Sequence, residues 1–122
     1  MNKKTLNIIV TVAIIIIIGA VAFFVIRGKM TGAAVSEDVA KYIGAHSVVY
    51  VQAGCIHCID QENMFGSSWK YINSVDCISS TANQEACNLA NITATPTWVI
   101  NGKQYLGVQS IRTLENLTGY SQ

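Results

Sequence analysis

Charge is scarce in this chain of 122 residues, at 12%, and there is almost no basic surplus, the net charge being +1. From Ser36 onward the basic residues are Lys41, Lys70, Lys103 and Arg112, set against all seven acidic ones. No basic stripe remains to bind nucleic acid, so that class of partner is excluded. Internal repeats are lacking, which excludes a repeat array, and the chain length suits one small domain plus an extra segment. A second Cys-x-x-Cys is also missing beside the one at Cys55–Cys58, so the paired knuckles of a structural zinc site are not formed.

Leu6 to Ile26, by contrast, is a continuous apolar run with no charge and only Asn7 and Thr11 as polar side chains. At about 1.5 Å rise per residue it crosses a hydrocarbon core of about 30 Å. Ala20-Val21-Ala22 resembles a signal-peptide cleavage site, but Phe23 to Ile26 continue the run past it, so an uncleaved transmembrane helix is expected. Lys3 and Lys4 on one side nearly balance Arg27 and Lys29 on the other. Sidedness is therefore read from the four cysteines, which suit an oxidising compartment. The expected organisation is a cytoplasmic tail over 1–5, a membrane helix over 6–26, a tether over 27–35 and an extracytoplasmic domain over 36–122.

Within that domain the pattern predicts alternating helices and strands. Ser36 caps a helix with Glu37 and Asp38 in its first turn and Val39, Tyr42 and Ile43 at helical spacing, ended by Gly44. Ser47 to Gln52 reads as a central strand covered on both faces. A helix follows from Ile56 with Ile59, Met64 and Phe65 as its apolar residues, weakened at Gly66 and Ser67. Trp69 to Asp76 reads as a second strand, and Thr81 to Asn91 as a helix with Ala86, Leu89 and Ala90 on one side. Asn101-Gly102 joins Thr97–Ile100 to Lys103–Leu106 in a hairpin, because both turn residues tolerate positive φ. Ser110 opens a last helix with Ile111, Leu114 and Leu117 buried. Trp98, Tyr50, Phe65 and Trp69 read as core or rim aromatics, and His46 as a solvated residue.

Cys55-Ile56-His57-Cys58 stands where strand gives way to helix. At a helix start, unpaired N–H groups and the dipole favour a thiolate on Cys55. His57 is expected to add positive charge and a hydrogen bond to it, leaving Cys58 as the buried resolving thiol. These three are the candidate catalytic residues. Zinc is the competing reading of a Cys-x-x-Cys, but Cys77 and Cys87 are ten residues apart and make no second knuckle, so no metal is expected. The second pair, Cys77 and Cys87, is read as a structural disulfide ahead of a redox relay or a metal site. Asn91-Ile92-Thr93 and Asn116-Leu117-Thr118 fit the glycosylation sequon, a motif short enough to match by chance.

A Cys-x-x-Cys between strand and helix, followed by Thr95-Pro96 before a hairpin and a last helix, resembles the thioredoxin fold, an α/β architecture with a central mixed sheet. That resemblance implies a cis peptide at Pro96, which shapes the site, and a substrate contact through Thr95. Adding Val75-Asp76-Cys77, Cys87 and the block Thr95-Pro96-Thr97-Trp98 to Gly107-Val108-Gln109-Ser110, residues 47 to 120 are similar to the thioredoxin-like domain associated with bacterial and archaeal vitamin K epoxide reductase homologues. Such domains pass electrons from folding proteins to a quinone-reducing membrane module, so a separate membrane partner of that kind is implied here. Gly54 stands where ordinary thioredoxin has tryptophan, Ile-His replaces Gly-Pro, and Val48 to Val51 carries no acid. These departures point to an oxidase of cysteine-containing exported proteins rather than a cytosolic reductant, with a reductase or isomerase as the alternative direction. A non-catalytic tethered binding or zinc module is the alternative of another class. No cofactor is implied.

Overall fold

The computed structural model describes residues 2–28 and 34–121, and the chain divides into two compact units, Met1–Ala33 and Ala34–Gln122. The first is one helix, α1 (Lys3–Gly28). Its Lys3–Phe24 stretch is long and apolar enough to cross a membrane, as a membrane span or a signal sequence would be, and none of it is buried. Lys3 to Thr5, expected as a tail, are already helical, and most of the expected tether, residues 29–33, lies outside the described residues.

The second unit runs α2 (Glu37–His46), β1 (Ser47–Val51), α3 (Ile56–Phe65), a 3₁₀ segment (Gly66–Tyr71), β2 (Ser74–Asp76), α4 (Thr81–Leu89), β3 (Thr97–Ile100), β4 (Lys103–Leu106) and α5 (Ile111–Thr118). Serines start three helices: the side chains of Ser36, Ser80 and Ser110 accept from the N–H of Val39, Asn83 and Thr113. Strand order is β2-β1-β3-β4, with β1 parallel to β2 and the other two pairings antiparallel. The fold is thus the thioredoxin-like α/β class, a mixed four-stranded sheet flanked by helices. Asn101 and Gly102 take φ of 50° and 75° at the β3–β4 turn.

Val49 lies opposite Trp98, and Trp98 opposite Tyr105, so one sheet face carries Val49, Val51, Trp98, Ile100 and Tyr105. Val39 and Ile43 of α2, Phe65 of α3 and Leu114 of α5 pack on it to form the core. The opposite face is covered more thinly than the continuous apolarity of β1 suggests. Val48, Tyr50 and Val99 are only half-buried there, because short α4 buries a single side chain, Cys87.

Four expectations are corrected. Trp69 to Asn73 is not strand: Phe65 and Trp69 rings meet at 5.6 Å, Ile72 N–H bonds Trp69 O, and the β-rich composition there serves the core from a 3₁₀ turn. Gly44 does not end α2, which continues to His46. A Cβ on Gly44 would lie 2.0 Å from the Tyr71 carbonyl oxygen, so glycine is present for close packing. Along α3, Ile59 and Met64 are exposed and the fully buried residues are Gln61 and Phe65. On α4, Leu89 faces solvent at 77% exposure. The α5 stripe holds, with Leu114 buried and Ile111 and Leu117 half-buried. Trp98 and Phe65 are buried, Tyr50 and Trp69 half-buried, and His46 is exposed, as read.

Candidate functional site

The end of β1 hands the chain to α3 through a tight turn. Cys55 N–H bonds Gln52 O at 3.1 Å, and Gly54 takes φ +82°, a backbone that favours glycine. Cys55 then becomes the N-cap of α3, its Sγ accepting from the Cys58 N–H at 3.2 Å. The thiol therefore occupies the place where a helix start offers unpaired donors. Thr95-Pro96 is a cis peptide, and the Cys55 S–H donates to Thr95 O at 3.5 Å. Pro96 is buried and Thr95 half-buried. Cys55, Cys58, Thr95 and Pro96, read as one site from the sequence, thus come together from segments forty residues apart.

The two thiols differ in environment. Burial pushes the Cys55 thiol up, but side-chain hydrogen bonds from Cys58 and Thr95 and the N–H groups of Cys58 and His57 outweigh it, so its pKa lies below the ordinary value. Cys58 is buried, and burial together with the Cys55 side-chain bond raises its pKa. His57 contributes differently from expectation. Its exposed ring lies 3.6 Å from the Asp60 carboxylate, one turn on, and it is through its backbone N–H that His57 adds to the groups favouring the thiolate.

Cys77 and Cys87 form a disulfide joining the end of β2 to α4. Asn83 Nδ2 donates to Asp76 O at 3.1 Å beside it, fixing the start of α4. The bridge lines a groove of about 220 Å³ with Gln52, Ile78, Ile92 and Thr95, which reaches the cis-proline loop. With both sulfurs bonded they are unavailable as thiolate ligands, and among the described residues no group of three or more His, Cys, Asp or Glu side chains is placed to hold a metal. Replacing both cysteines with serine is expected to lower unfolding free energy by about 2–3 kcal/mol, by releasing a short loop in the unfolded chain. Denaturant unfolding of the two proteins checks this, with Cys55 exchange rates retained.

One buried group at the site had no sequence signal strong enough to find it. Gln61, one turn beyond Cys58, is 0% exposed and bonds both Trp98 and Gln109. An uncharged amide at helical spacing reads as surface; only the need of a buried indole N–H for an acceptor hints otherwise.

A paired low-pKa thiol and buried thiol, beside a cis-proline loop, is equipped for thiol–disulfide exchange. Over 73 residues, 55% of this chain, the sequence is 37% identical to thiol-disulfide oxidoreductase LTO1 of Arabidopsis thaliana. The chain spans about a fifth of that relative's length, the match covering 19% of it. Among solved structures, the NTD_N/C domain of alkylhydroperoxide reductase AhpF from Enterococcus faecalis is similar at a TM-score of 0.43 and 20% identity, over 70% of this chain and 45% of that one. No family model matches the chain.

Proposed function

We propose that this protein is a membrane-tethered thiol-disulfide oxidoreductase that oxidises cysteines of exported proteins through Cys55 and Cys58. The observation that carries the reading is the half-exposed Cys55 sulfur on the α3 N-terminus, 3.5 Å from the carbonyl before the cis-proline, with Cys58 buried behind it. In the oxidised form, a substrate thiolate attacks Cys55 Sγ. The Cys55–Cys58 bond breaks, Cys58 leaves as a thiolate and takes up a proton, and a mixed disulfide joins Cys55 to the substrate. The second substrate thiolate then attacks its own partner sulfur, so Cys55 leaves as a thiolate and the substrate departs oxidised. Two electrons now reside on the dithiol. A quinone-reducing membrane protein of the vitamin K epoxide reductase type is the acceptor we assign to them.

Direction follows from which form is stabilised. Hydrogen bonds to the Cys55 thiolate favour the reduced protein, which makes its disulfide the stronger oxidant. The α1 helix serves as a single-pass anchor in the cell membrane, holding the domain on the extracytoplasmic side where exported chains emerge. Thr95 offers backbone to an extended substrate, and Pro96 holds that backbone in place. Equilibration with glutathione buffers, followed by quenching and mass spectrometry, tests the direction. A potential nearer to about −120 mV than to about −270 mV is expected, and one at the lower end identifies a reductant instead.

A further inference from the structure

The Gln61 side chain is enclosed and uses every hydrogen-bonding capacity it has. Its Oε1 accepts from Trp98 Nε1 at 3.0 Å and from Gln109 N at 2.7 Å. Its Nε2 donates to Gln109 O at 3.1 Å and to Met64 Sδ at 3.7 Å. Because the indole and the Gln109 amide can only donate, and the Gln109 carbonyl only accept, the amide has one workable orientation. Those partners belong to both halves of the site. Trp98 lies two residues beyond Pro96 on β3. Gln109 closes the loop after β4, and that loop returns to the site through Gly107 N–H, which donates to Pro96 O at 2.8 Å. Gln61 itself is on α3, one turn from Cys58.

We infer that Gln61 is a positioning residue, the clamp that holds the first turn of α3, with Cys55 and Cys58, in register against the Thr95–Pro96 loop. A buried amide is a costly way to fill this space when an apolar side chain of the same length would pack. Its use is directional: four bonds at fixed angles set a spacing that apolar contact leaves free to slide. Without them, the Trp98 N–H and both backbone groups of Gln109 lose their shared partner. The loop and strand then shift to find others, and the side-chain hydrogen bond from Thr95 that favours the Cys55 thiolate loosens. The inference rests on the dithiol-exchange reading of the site.

The test is the pH profile of Cys55 alkylation by iodoacetamide in the reduced, full-length protein. Gln61→Met removes all four bonds at similar volume, Trp98→Phe removes one donor while keeping a large ring, and Leu114→Ala weakens the core on α5 without touching the clamp. The exposed ionisable groups of α3 nearest Cys55, His57 and Asp60, are common to all, as are Glu62 and Asp76 beside Cys58. In Gln61→Met the midpoint is expected to rise by about one pH unit, a tenfold loss of thiolate at a given acidic pH. Trp98→Phe rises less, and Leu114→Ala stays at the wild-type midpoint although it unfolds at lower denaturant. Should Gln61→Met fail to fold, Trp98→Phe decides by itself. Unmoved midpoints in the clamp variants, or an equal rise in Leu114→Ala, overturn the inference. A wild-type midpoint at the ordinary thiol value instead overturns the dithiol reading beneath it.

Discussion

Cys55→Ser is expected to reduce disulfide transfer to a reduced, unfolded protein to the uncatalysed background, because a serine hydroxyl can neither form nor leave a disulfide. The loss is complete rather than partial: a single remaining thiol forms no internal disulfide to give, and Cys58 is buried, so substrate does not reach it in place of Cys55. Cys58→Ser gives a different signature. Offered an already oxidised protein, Cys55 at the α3 N-terminus still attacks its disulfide, the reverse of the transfer, and no internal thiol is left to release the adduct. A mixed disulfide therefore accumulates, visible on non-reducing gels and absent from Cys55→Ser. Equal adduct formation by the two variants would remove the assignment of Cys55 as the attacking sulfur. Loss of transfer is read by the oxidative refolding of a reduced ribonuclease, followed by its recovered activity, and the adduct by mixing the reduced variants with the oxidised ribonuclease.

Gly44→Ala is expected to cost the fold about 3 kcal/mol, at the upper end of what one inserted methyl group does to a packed core. The sign of this effect is informative. Alanine in a helix interior is normally about 1 kcal/mol better than glycine, so helix propensity alone predicts stabilisation. Here α2 crosses the 3₁₀ segment so closely that the new Cβ would stand 2.0 Å from Tyr71 O and 3.2 Å from Ile72 Cα. Both are backbone atoms, which cannot rotate aside, so the segment must be pushed out. Urea unfolding at neutral pH reads the result, and a variant more stable than wild type contradicts the packing described for α2.

Much of the fold was legible where a residue's own chemistry decides its local structure. Ser36 and Ser110 cap helices because a short hydroxyl meets free N–H groups, and Asn101-Gly102 turns because both tolerate positive φ. The site was legible for the same reason: two cysteines at the strand-to-helix junction, with Thr95-Pro96 downstream, are defined by type and spacing. What escaped depends on a third element. Gly44 looked like a helix end because its neighbour, the Tyr71 carbonyl, is not adjacent in sequence. Tyr71 and Ile72 have strand composition but serve a 3₁₀ turn packed on α2. Ile59 and Met64 are apolar yet exposed, while polar Gln61 is enclosed, because Trp98 and Gln109 arrive from the far end of the chain to satisfy it. The sequence points to the His57 ring as a thiolate partner, but the ring is exposed, 3.6 Å from the Asp60 carboxylate, and it is the backbone N–H of His57 that favours the Cys55 thiolate.

The asymmetry between the two thiols is the centre of this account, and alkylation of the reduced wild-type protein measures it directly. Iodoacetamide is applied across a pH series and its attachment to Cys55 and Cys58 is quantified separately by mass spectrometry. Cys55 is predicted to react first, with a midpoint below the ordinary thiol value, while Cys58 stays unmodified over the same range. Equal labelling of the two, or labelling of Cys58 ahead of Cys55, would contradict it.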